Sequence, residues 1–220
     1  MEAIERNITS LDWVTLLLVF ILCGLVLIKT SYPGRFYDFS RIAFSNKYFT
    51  THKKSLKVLN FFSFYLYLLK AAILSLGIYI AWRVYDLPAQ QNEFTLFLQI
   101  FVLYNIIVGG KYLLEKIVAN LFSIEKIFDN YLFYKLTFKN LLALVFLPII
   151  LIFFYAWQPN KIGVIIAIVI FLAFNFFALI SYYKKNQNIV LGHWFYFILY
   201  LCTLEIAPYF ILYKVFTLAS

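Results

Sequence analysis

The sequence predicts an all-α protein, a polytopic bundle of about six transmembrane helices with interfacial amphipathic segments. Three observations predict it. Hydrophobic residues make up 64% of the 220 positions and charged residues 13%, whereas soluble domains carry about a quarter of their residues as charges. Apolar runs recur at 11–28, 58–82, 94–110, 136–157, 164–183 and 194–216, near the length of about 20 residues that crosses a hydrocarbon core of about 30 Å. Basic residues outnumber acidic ones, 19 to 10, and lie mostly between those runs, as topology signals do. The whole chain, 1–220, reads as one integral membrane domain. A nucleic-acid binder would gather its charge on a solvated face, so nucleic acid is excluded as a partner.

The first run, 11–28, sits where a signal peptide would. Its leader has Glu2, Glu5 and Asp12 against Arg6, and Thr30-Ser31-Tyr32-Pro33-Gly34 follows without a small-x-small site, so an uncleaved helix is expected. From Lys29 to Lys57, basic residues alternate with aromatic ones such as Phe36, Tyr37, Phe39 and Tyr48. That pattern suits a segment lying among headgroups, its charges on anionic lipid.

The second run, 58–82, contains Lys70 about twelve residues, roughly 18 Å, from either end. This is beyond the snorkelling reach of its stem, so Lys70 must face protein or water. Pro88 and Gln90-Gln91-Asn92 mark the next turn. The third run, 94–110, meets Lys111, Glu115 and Lys116, a charge cluster expected at the cytoplasmic interface. Lys111 and Glu115 are one turn apart and can pair. Leu114, Ile117, Val118, Leu121, Ile124, Phe128 and Tyr131 then recur at helical spacing. The preferred reading has the helix leave the bilayer after Gly110 and continue on its surface. The alternative is one long tilted helix with Lys111 and Glu115 inside the bundle.

The fourth run, 136–157, should bend at Pro148, whose ring removes a backbone hydrogen bond. The fifth, 164–183, carries Asn175 in its apolar middle, where an interhelical hydrogen bond is expected. The sixth, 194–216, carries Glu205 near its centre and Pro208 three residues later, a second kink. A carboxylate at that depth is costly unless paired, protonated or wetted. Cys23 and Cys202 fall in apolar runs, where a thiol is an ordinary small hydrophobe. They form neither a disulfide framework nor a metal spacing.

Six spans place fourteen of the nineteen basic residues on one face and Arg6, Arg83, Lys161 and Lys214 on the other, with Lys70 inside. The positive-inside rule makes the basic face cytoplasmic and both termini periplasmic. Lys70 and Glu205 then lie at about the same depth, roughly 18 Å from the cytoplasmic ends of their helices. Two readings stand. One is a fixed ion pair that sets helix register; the other is a titrating acid, with Pro208 freeing the carbonyl of Leu204 beside it.

No motif for nucleophilic, phosphate-binding or metal chemistry is present, so no catalytic residue, cofactor or metal is expected. The blocks Gly109-Gly110-Lys111-Tyr112-Leu113-Leu114-Glu115-Lys116, Phe133-Tyr134-Lys135 with Lys139-Asn140, Leu147-Pro148, and Leu199 to Pro208 followed by Lys214 resemble a family of small polytopic inner-membrane proteins of unknown function in Bacteroidota. The resemblance implies a bacterial inner membrane and no activity, and it places Lys111, Glu115, Glu205, Pro208 and Lys214 at motif positions. The expectation is a non-enzymatic accessory or scaffold subunit of an envelope assembly, with the bilayer and other membrane proteins as partners. A small transporter or proton conductor using Glu205 is the alternative; a lipid-processing enzyme at the Lys111, Glu115 and Lys116 level is a weaker one.

Overall fold

A computed structural model of the chain describes residues 12–42, 61–86, 92–121, 125–157 and 159–185. These form six helices: α1 (Asp12–Ser31), α2 (Pro33–Ser40), α3 (Phe61–Val84), α4 (Glu93–Leu121), α5 (Glu125–Tyr155) and α6 (Lys161–Lys185). Among the described residues, four stretches are long and apolar enough to cross a membrane: α1, α3, α4 and the Leu132–Tyr155 part of α5. The sixth predicted span, 194–216, with Glu205, Pro208 and Cys202, lies outside the described residues, as does most of the basic and aromatic connection before α3.

Local sequence explains where these helices begin. Asp12 sits in the first turn of α1 and Lys29 in its last, each charge opposing the helix dipole. Pro33 opens α2, where its missing N–H costs nothing. Asn160 caps α6 by accepting the Gly163 N–H at 2.8 Å.

Helix α3 is the hub, packing against α1, α4, α5 and α6. Its buried residues, among them Leu66, Leu69, Ile73, Leu76 and Tyr79, lie around much of the helix. The outer helices each bury one stripe. In α1 that stripe is Val14, Leu18, Ile21 and Ile28, and Gly24 completes it: a Cβ there would meet Leu69 Cδ2 at 3.0 Å. Leu16, Phe20 and Leu27 of α1, and Ile166, Val169, Leu172 and Phe176 of α6, point outward and exposed. An apolar exterior around the bundle is what a lipid surround requires.

Aromatic contacts fix which ends meet. Trp13 packs edge-on against Tyr79 and Phe94 at one end, with ring centroids 5.3 Å and 5.7 Å apart. At the other end, Tyr32 and Phe39 pack on Phe62. Thus α1 and α3 run antiparallel, and Phe39 of α2 tucks under the bundle, 1% exposed. Tyr79 stacks with Phe154, so α3 and α5 run parallel, with α4 antiparallel to both.

Two helices run further than the apolar runs that mark them. Helix α4 passes Gly109 and Gly110 unbroken to Leu121, a 29-residue helix, and Glu115 is 3% exposed. Its apolar stripe, Leu114, Ile117 and Leu121, faces away from the protein, the reverse of a helix packed by its apolar face. Glu115 faces inward and Lys116 outward, and a continuous helix fits both the surface continuation and the long-helix alternative. Helix α5 likewise begins well before 136 and runs through Pro148, whose ring leaves the carbonyl of Leu144 without its helical donor.

Candidate functional site

The polar residues of the interior gather where α3, α4 and α5 meet, toward the end of the bundle opposite Trp13. Lys70 lies nine residues into α3, about 14 Å along its axis, and is 2% exposed. Leu66, Leu69, Ala71 and Ile73 are buried around it, so its ammonium turns along its own helix to Tyr67, three residues earlier on the same face. It sits 4.6 Å from the centroid of that ring, a cation–π contact worth about 2 kcal/mol or more when desolvated. The Tyr67 hydroxyl donates to Asn105 Oδ1 of α4 at 2.8 Å, and Asn105 Nδ2 donates to the Phe101 carbonyl at 2.7 Å. Lys70, Tyr67 and Asn105 thus form a polar bridge from α3 to α4.

A second polar contact joins α4 to α5. Lys135 Nζ donates to Glu115 Oε1 at 3.0 Å, with side chains 8% and 4% exposed. Lys139 follows Lys135 by one turn along α5, with Asn140 directly after it. Asn140 is buried with Oδ1 unbonded. Among the described residues no carboxylate pairs with Lys70.

The three residues of the predicted charge cluster lie in different surroundings. Glu115 is held by Lys135, Lys111 is half-buried, and Lys116 is exposed on the outside. Asn175, for which the sequence predicts an interhelical bond, donates within α6 to the Phe171 carbonyl at 2.8 Å, the nearest acceptor one turn back. Pro148 is exposed on the bundle's outer surface. Sequence reasoning missed Tyr67, Asn105 and Lys135 as interior polar partners. Asn105 carried the same signal as Asn175, an amide within an apolar run. Nothing distinguished Tyr67 among 18 tyrosines. Among the described residues, no three His, Cys, Asp or Glu side chains gather as a metal site.

An apolar exterior around a few buried polar and charged side chains defines a class, the helical bundle built on membrane-protein lines. Within it, the chain belongs to the family described as Domain of unknown function (DUF4271), whose model matches residues 14–216. No curated protein and no solved structure matches the chain.

Proposed function

We propose that this is a multi-pass protein of the bacterial inner membrane that performs no chemistry itself and serves as an accessory or scaffold subunit of an envelope assembly. The observation that carries the reading is the buried Glu115–Lys135 pair between α4 and α5. It uses ionisable groups to fasten helices, and a tethered carboxylate is poorly placed to act on a substrate. The basic end of the bundle is assigned to the cytoplasm, against anionic lipid, and both termini to the periplasm. The broad apolar face of α6 is available to lipid or to a neighbouring membrane protein. Purification of the tagged full chain in a mild detergent, followed by mass spectrometry, tests the role. Stable stoichiometric membrane partners are expected, and a chain that purifies alone and moves ions in proteoliposomes overturns it.

The buried Lys70, with no carboxylate partner among the described residues, supports a second reading: a small carrier or proton conductor in which Glu205 is its counter-charge. Proton flux in proteoliposomes, abolished by Glu205→Gln, would be its signature. The commitment of Glu115 to Lys135 weighs against a lipid-processing enzyme at this level.

A further inference from the structure

We propose that α2 is a lid on the cytoplasmic end of the bundle, hinged at Tyr32-Pro33-Gly34, which exchanges its seat on Phe62 for the interface of an anionic bilayer. Its inner face is apolar. Phe36 and Phe39 lie one turn apart, Phe39 is 1% exposed, and Ile42, just past the helix, is buried as well. Phe39 and Tyr32 pack edge-on against Phe62, with ring centroids 6.1 Å and 5.8 Å away, and α2 also lies against α5. Beneath the lid, Leu66 follows Phe62 by one turn of α3 and is buried, next to Tyr67 and its bond to Asn105. The outer face carries Tyr37, with the Arg41 guanidinium 4.4 Å from its ring centroid.

The connections of α2 leave it free to change seats. Its link to α1 is one residue, Tyr32, between Ser31 and Pro33, and a Cβ added at Gly34 would meet nothing within 4 Å, so no neighbour wedges the first turn in place. Eighteen residues separate Ile42 from Phe61, a length that spans up to about 60 Å when extended and does not by itself fix α2. The same inner face also suits lipid. Hydrocarbon is as apolar as a protein core, and an amphipathic helix with basic and aromatic residues binds among headgroups, more strongly where the lipid is anionic. Arg35 and Arg41 outweigh Asp38 in supplying that charge. Either seat keeps the rings of Phe36 and Phe39 out of water, so the charge of the lipid decides between them. This inference rests on the membrane reading above and goes beyond it by giving the cytoplasmic end two states.

The test uses the full chain without its two native cysteines, in liposomes of dioleoylphosphatidylcholine with or without dioleoylphosphatidylglycerol. Spin labels on Ser40→Cys and Tyr85→Cys, both exposed positions, report where α2 sits. Anionic lipid should shift their separation by about one helix diameter, roughly 10 Å. Leu66→Cys should then react about tenfold or more faster with a water-soluble methanethiosulfonate, while Ala143→Cys, 0% exposed in α5, stays protected. Arg35→Gln together with Arg41→Gln should abolish both responses to lipid charge. The spin-label pair replaces exposed side chains, so it keeps the test decisive should Leu66→Cys fail to fold. An unchanged separation in the two lipids, or a response that survives loss of both arginines, overturns the lid. Equal gains in reactivity at Leu66→Cys and Ala143→Cys would show general loosening and overturn it too. A chain that resists carbonate extraction from membranes yet keeps one separation loses the lid and retains the membrane reading.

Discussion

Glu115 and Lys135 show how a charge becomes tolerable in an apolar interior. Each removes the other's need for water, and at 3.0 Å the contact is a charge-assisted hydrogen bond. Removing one partner strands the other, which costs about 3–5 kcal/mol. Glu115→Gln and Lys135→Met should therefore each destabilise the bundle strongly, whereas the double substitution should recover much of the loss. A double-mutant cycle on unfolding in mixed micelles measures this, and simple additivity would show that the two do not couple. The Lys70–Tyr67 contact permits a finer distinction. Tyr67→Phe keeps the ring beneath the ammonium and loses only the bond to Asn105, so it should cost about 1 kcal/mol. Tyr67→Leu, which removes ring and hydroxyl together, should cost more in the same assay.

At the scale of helices, close approach is controlled by a few small residues. Gly24 lets α1 lie against Leu69 of α3, and a Cβ placed there would be 3.0 Å from the Leu69 side chain. Leu69 can shift to admit a methyl, but a β-branched residue would push the helices apart. Gly24→Val should cost about 1–3 kcal/mol and Gly24→Ala much less, read as unfolding midpoints of the purified chain. The helices themselves were legible in the sequence because long apolar runs leave little choice. Their ends were less so, and α4 shows why. Lys111 and Glu115 look like the edge of a bilayer when the chain is read alone. What the sequence alone could not supply is the partner of Glu115, since α5 returns Lys135 to its level in a pairing across twenty positions that periodicity cannot reveal. The final span and Glu205, prominent in the sequence, lie outside the described residues, so the candidate site that emerges is built on Lys70, Tyr67 and Asn105.

For the whole molecule, the arrangement of charge predicts orientation. Tyr85 and Lys116 lie toward opposite ends of the bundle, one just past α3 and the other near the end of α4. In a background lacking the two native cysteines, Tyr85→Cys should react with an impermeant thiol reagent in intact cells and Lys116→Cys should not. Reversed labelling would invert the topology; labelling of both would deny that the chain crosses a membrane between them. The order of assembly follows from one contact. The Thr15 hydroxyl of α1 and the Tyr155 phenol of α5 lie 2.7 Å apart although 140 positions separate them. During synthesis, α1 can find α3 early, but this clasp must wait until the ribosome has delivered the far end of α5. A nascent chain halted before Tyr155 therefore has its opening helix docked and not yet fastened.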